Sequence, residues 1–183
     1  METLKPPLSL SARCRVPDSA FACAYEAIDD SCTAAFKAAI AALFAMYPPN
    51  PGDARKPRRQ DWSLGGVDAS LTAIPLDFAI FLLPDSPVSP LKLLAALVPA
   101  RTAGVRQVAV LRRAAAKWED EVLVALELAG QEDVYVCDSS MEGRVAKTIG
   151  ASKRQGVVVD MAGNWDGFAE TPSVRFVRLA QAV

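Results

Sequence analysis

The fold is decided at residues 82–105, LLPDSPVSPLKLLAALVPARTAGV. An apolar run, FAIFLL at 78–83, leads into it, and a run with helical spacing follows at 89–104. A continuous apolar run of this kind suits a strand covered on both faces. Pro84, Ser86 and Pro87 stand between the two runs, and Ser89 and Pro90 open the second. Ser89 can cap a helix whose first residue is Pro90, because the missing proline N–H has no partner at that position anyway. Pro99 falls late in this helix and should kink or end it. The stretch therefore reads as strand, loop and helix.

The same alternation continues downstream. VRQVAVL at 105–111 reads as a strand, and AKWEDEVLVALELAG at 116–130 as a helix. Gly130 suits the left-handed residue after a helix end. DVYVC at 133–137 is a strand, SMEGRVAKTIG at 140–150 a weaker helix, and GVVVDMA at 156–162 and VRFVRLA at 174–180 are strands. DASLTAI at 68–74 fits an edge strand. Strands and helices alternating over short connections predict a three-layer α/β/α fold with a mostly parallel sheet, an incomplete Rossmann-like arrangement.

Upstream, residues 18–47 read as helix, rich in alanine, with Phe36, Ile40, Leu43 and Tyr47 at helical spacing. Asp18 or Ser19 can cap its start. The run can divide at DDS, 29–31, with Ser31 capping the second part. PPNPG at 48–52 ends it. Residues 48–66 then read as a linker rich in proline, glycine and charge. The chain is thus expected as an N-terminal helical segment and linker over 1–66 and an α/β domain over 67–183, together one compact unit. The basic run RKPRR at 55–59 lacks interleaved aromatic residues and reads as a solvated, mobile loop.

Composition bounds the function. The chain has 183 residues, 51% hydrophobic and 22% charged, and a net charge of −1. No field of one sign would attract nucleic acid or a membrane surface. LLAALV at 93–98 is far too short to span a bilayer, and the N-terminus has no uninterrupted apolar signal segment. A cytoplasmic location follows as the expectation. Cys14, Cys23, Cys32 and Cys137 form no C-x-x-C pair and read as free thiols in a reducing compartment. Cys23 and Cys32, nine apart in one helix, would face opposite ways. The chain has no histidine, so the commonest general base and transition-metal ligand are both missing, and no zinc site is expected.

In doubly wound sheets, ligands sit beyond the carboxyl ends of the strands. That rule selects the loops 84–89, 112–116, 138–142 and 163–167. Asp85, Ser86 and Ser89 can hold an anion at a helix N-terminus, or serve as turn and cap. Asp138, Ser139, Ser140 and Glu142 can meet ribose hydroxyls or another small polar ligand, or form a cap with Ser139 or Ser140 at its head. Gly163, Asn164 and Trp165 lie in GNWDG, where the tryptophan can stack on a ring or pack beneath its own loop. Serine nucleophiles need a base that the absent histidines do not supply.

These segments also resemble histidinol dehydrogenase. PLDFAIFLLPDSPVSPLKLLAALVPARTAGVRQVAVL, followed by EVLVALELAGQEDVYVC, is similar in order to that family's strand, loop, helix and strand. Pro99, Ala100, Arg101, Ala103, Gly104 and Val105 fit the family's helix ending. Leu128, Ala129 and Gly130 fit its next helix end, and Gly163 and Asn164 fit its Val-Asp-x-x-x-Gly-Pro-Gly-Asn region. The helix at 33–47 resembles the family's upstream helix, with Tyr47 in place of a histidine. The family's Pro-Gly-Gly loop is PDS here, and CDSS at 137–140 replaces its Gly-Gly-Ala-Gln. Its zinc ligands and proton-transfer residues lie further downstream than this sequence extends. The resemblance therefore implies the α/β/α fold and admits NAD as a cofactor, while arguing against the reaction.

The expected function is a non-catalytic relative that binds a small metabolite or a partner chain. The alternative is an NAD-linked oxidoreductase subunit that keeps dinucleotide binding and needs another chain for catalysis. A homodimer is expected, with 18–47 contributing to the contact. Phe21, Tyr25, Ile28, Phe36, Ile40, Leu43, Phe44, Met46 and Tyr47 present more apolar surface than one stripe hides.

Overall fold

The computed structural model describes residues 8, 10–49, 57–161, 163 and 165–179. The N-terminal helical run is two helices, α1 (Asp18–Ala27) and α2 (Asp30–Met46). The break has a local cause: Ile28 and Asp29 are extended, and the Asp29 carboxylate accepts the Cys32 amide at 2.7 Å. Asp29 is the cap in place of Ser31, whose hydroxyl donates to the same carboxylate at 2.6 Å. Neither Asp18 nor Ser19 caps α1, which begins after Pro17 with no side-chain cap. Cys23 and Cys32 consequently lie on different helices.

The expected linker ends in a strand. β1 (Arg58–Leu64) turns through Gly65 and Gly66 into β2 (Val67–Ala73), and the two pair antiparallel over seven residue pairs. Both glycines have positive φ, +59° and +80°, the conformation a two-residue hairpin turn requires. The expected edge strand at 68–74 therefore belongs to a separate two-stranded sheet, apart from the main one. Of the basic run, Arg58 and Arg59 lie in β1, whereas Arg55 and Lys56 fall outside the described residues.

The main sheet has five parallel strands: β3 (Phe78–Leu82), β4 (Gln107–Arg113), β5 (Val134–Cys137), β6 (Gly156–Asp160) and β7 (Val174–Arg178). Their order is β5-β4-β3-β6-β7, so the chain starts at the centre, runs to one edge and returns to build the other. Counted within the sheet this is 3-2-1-4-5, the doubly wound order. The reversal decides where the helices go. Right-handed crossovers from β3 to β4 and β5 put α3 (Pro90–Thr102) and α4 (Asp120–Leu128) on one face, and the return to β6 puts α5 (Ser139–Gly150) on the other. All five residues of β3 are buried. Ala79 and Phe81 pack with α3 and α4, while Phe78, Ile80 and Leu82 pack with α5.

Helix ends follow local chemistry. Ser89 caps α3, its hydroxyl accepting the Lys92 amide at 3.4 Å, and Pro90 opens the helix. Pro99 does not end α3, which continues to Thr102. For α5 the cap is Asp138, which accepts the Met141 amide at 2.6 Å, and not Ser139 or Ser140.

A second helical layer covers α3 and α4. α1 packs on α4, and α2 on α3 and α4, so Phe21, Ala24, Phe36 and Leu43 are buried within this same chain. The helical segment does not reach away from its own sheet. Tyr25, Phe44, Met46 and Tyr47 stay exposed. On the opposite face a strap from the N-terminus closes the core. The Gln107 side chain accepts the Leu8 amide at 2.8 Å and donates to the Leu8 carbonyl at 3.1 Å, which seats Leu8 at 2% exposure. Further on, Val16 donates to Val134 at 2.8 Å beside β5. No helix of the described residues is long and apolar enough to cross a membrane.

Candidate functional site

Strand order reverses between β3 and β6, so the crevice beyond their carboxyl ends is where a doubly wound sheet offers a ligand site. Here that crevice holds the protein's own side chains. Trp165 is 0% exposed, and its indole N–H donates to the Leu83 carbonyl at 3.1 Å. Phe168 meets its ring edge-on at 5.9 Å between centroids. Asp160, the last residue of β6, fixes the loop beneath. Its carboxylate is fully buried and accepts the Gly163 amide at 2.8 Å and the Trp165 amide at 3.4 Å. Arg178 on β7 approaches it at 3.9 Å.

Two arginines end β4 and close the crevice from the other side. The Arg113 guanidinium lies 4.2 Å above the centre of the Trp165 ring, a cation–π contact. It donates to Glu142 at 3.2 and 3.3 Å and to Asp85 at 3.3 Å. The hydrogen bond to Glu142 holds the guanidinium more firmly charged than usual, against some burial. Arg112 is 1% exposed and points the other way across the strand end. It donates to the Pro84 and Ser86 carbonyls at 3.2 and 3.1 Å and forms a two-pronged pair with Glu119. Burial alone would raise the Glu119 carboxyl, but the Arg112 and backbone hydrogen bonds outweigh it and hold it below the ordinary range.

The candidate residues fall into this frame unevenly. Asp85 is joined to Arg113, and Ser86 contributes its carbonyl to Arg112. Ser89 and Asp138 are helix caps. Backbone and Ser140 hydrogen bonds hold the Asp138 carboxyl below its ordinary range, the Met141 amide first among them. Ser140 also accepts from Arg144 at 2.9 Å, and Ser139 is exposed in the first turn of α5. Gly163, at φ +74°, turns the loop over Asp160, and Trp165 packs beneath its own loop. Asn164 lies outside the described residues. The structure thus brings Asp85, Ser86, Gly163 and Trp165 around one crevice and gives Ser89 and Asp138 to helix starts.

The loop 112–116 selected from sequence holds Arg112 and Arg113, though neither was singled out and both belong to the end of β4, while Glu119 and Asp160 lay outside the selected loops. The available signals were an arginine pair closing an apolar strand and a lone aspartate closing VVVD, since a charge at such a position must find partners.

Chemically, the four central charges are matched by counter-charges or amides. Cys137 is buried, and burial first, then Glu142 and Asp138, push its thiol up to about 12, far from a reactive thiolate. No group of three or more metal-binding side chains occurs among the described residues. A separate polar cleft of about 360 Å³ opens at the amino ends of β4 and β5, lined by Arg101, Arg106, Gln107, Gly130, Gln131 and Asp133. No protein-family model, curated protein or solved structure matches this chain.

Proposed function

We propose that this chain is a non-catalytic α/β domain, similar to the cofactor-binding part of histidinol dehydrogenase, that works as a protein-interaction module and assembles as a homodimer in the reducing cytoplasm. The observation that carries this reading is the seat of Trp165 in the switch-point crevice, fully buried and covered by Arg113. A nucleotide entering there would have to expel the indole and separate Arg113 from two carboxylates. The absence of histidine from the sequence supports the same reading, because proton transfer in the resembled reaction depends on it.

Calorimetry with NAD and NADP tests it. The expected result is no heat at millimolar ligand, and saturable binding would return the crevice to a ligand role. Pure protein is also expected to give no zinc-dependent reduction of NAD with histidinol; clear turnover would sink the non-catalytic reading.

The doubly wound strand order favours a second reading, a dinucleotide-binding oxidoreductase subunit completed by another chain. The same calorimetry separates the two. A small metabolite remains compatible with the first reading at the cleft beside Arg101 and Arg106.

A further inference from the structure

The β1–β2 hairpin has no third strand beside it among the described residues. An isolated two-stranded hairpin is marginal in water, and a free edge is a template for another chain. Two of its apolar side chains stand in solvent: Trp62 is 47% exposed and Val67 66%. The register sets Trp62 opposite Ala69, with Arg59 and Asp61 opposite Thr72 and Ser70. Side chains alternate along a strand, so Trp62 and Ala69 share one face while Arg59 and Asp61 share the other.

Backbone geometry says what the free edge of β1 offers. In a two-residue hairpin the closing pair, here Leu64 and Val67, exchanges hydrogen bonds, and bonded pairs alternate from there. The backbone groups of Arg59, Asp61 and Ser63 therefore point away from β2. Resting on the assembly reading above, we infer that this edge pairs antiparallel with β1 of a second copy of the chain, about a two-fold axis through Gln60.

Charge selects that axis. A two-fold axis between two residues would set an outward-pointing residue against an inward-pointing one, for example Asp61 against Trp62, and the ladder could not form. An axis through Asp61 would put like charges directly opposite, which is destabilising. An axis through Trp62 would set Asp61 opposite Ser63, with no ion pair. The axis through Gln60 sets Arg59 opposite Asp61 of the second copy, twice over, as a self-complementary contact demands. Within one strand Arg59 and Asp61 already pair at 2.8 Å, so the four charges alternate across the joint.

Light scattering on the full chain over a dilution series tests this, with near-ultraviolet circular dichroism to show that each variant is folded. Wild type is expected to dimerise. Arg59→Asp and Asp61→Arg should each weaken the dimer by about tenfold, since each turns two attractive pairs repulsive, and the double exchange should restore it to within about threefold. A wild type of one-chain mass at every concentration overturns the assembly reading and this inference with it. A dimer unmoved by either single exchange, or weakened without rescue by the double, overturns the β1 pairing alone and leaves the dimer to another surface.

Discussion

The indole N–H of Trp165 reaches the carbonyl of Leu83, 82 residues earlier in the chain, at 3.1 Å inside the core. One side chain thereby closes the loop after β6 onto the end of β3. The two strands flanking the switch point are tied together where a doubly wound sheet would otherwise open.

That tie should dominate stability. Trp165→Ala removes a fully buried ring and should cost about 3–5 kcal/mol in urea denaturation. Trp165→Phe keeps most of the ring but strands the Leu83 carbonyl, and should cost about 1–3 kcal/mol. A loss of under half a kcal/mol in the alanine variant would show that the ring is not packed as described.

Gly156 sits where β6 passes the ring of Phe78. A Cβ added there would lie 2.2 Å from the ring, with nowhere for the ring to go because Phe78 is 0% exposed. Gly156→Ala should cost about 1–3 kcal/mol. Phe78→Leu is destabilising alone, yet the double variant should lose less than the two losses summed. A double-mutant cycle with no coupling would contradict the contact.

Acid should loosen the crevice through Glu119. Its folded pKa lies below its ordinary value of 4.5, so the unfolded chain takes up the proton first as pH falls. The stabilisation is complete above that ordinary value and is lost as pH falls through the lower folded one. Urea midpoints measured between pH 7 and pH 3 should show a shallower acid decline for Glu119→Gln than for wild type. Equal slopes would remove Glu119 from the account.

Thiol labelling should follow burial. Cys23 is exposed, Cys14 and Cys32 are half-buried, and Cys137 is buried with its thiol pushed up to about 12. With an alkylating reagent at pH 8 and peptide mass analysis, Cys23 should label first and Cys137 only on unfolding. Early labelling of Cys137 would mean that β5 opens far more readily than its packing implies.

Much of the sheet was legible because burial on two faces leaves a local trace: FAIFLL at 78–83 reads as a strand covered on both faces, and Phe78–Leu82 is one, with all five residues buried. Ser89 before Pro90, and Gly130 at φ +69°, were legible because caps depend on neighbours in sequence. The hairpin was half hidden. In RRQDWSL, Arg59, Asp61, Trp62 and Ser63 are exposed and no continuous apolar run occurs, so only the Gly65–Gly66 turn marked it. The caps at Asp29 and Asp138 went to neighbouring serines, because aspartate and serine cap almost equally well and only backbone dihedrals separate them. The candidate site was legible as a set of loops but not as a filled crevice. Its filling depends on Arg113 from β4 meeting Trp165 from the loop after β6, 52 residues on in sequence, and no local pattern encodes that.

The covering of α4 by α1 also sets a timetable for the growing chain. α1 is complete at Ala27, yet its seat does not begin until Asp120. At ordinary translation speeds that interval lasts on the order of ten seconds. Throughout it, Phe21 of α1 has been synthesised without the helix that will bury it. The first helix of the growing chain thus carries an apolar face that stays uncovered until the fourth helix has followed two strands of the sheet out.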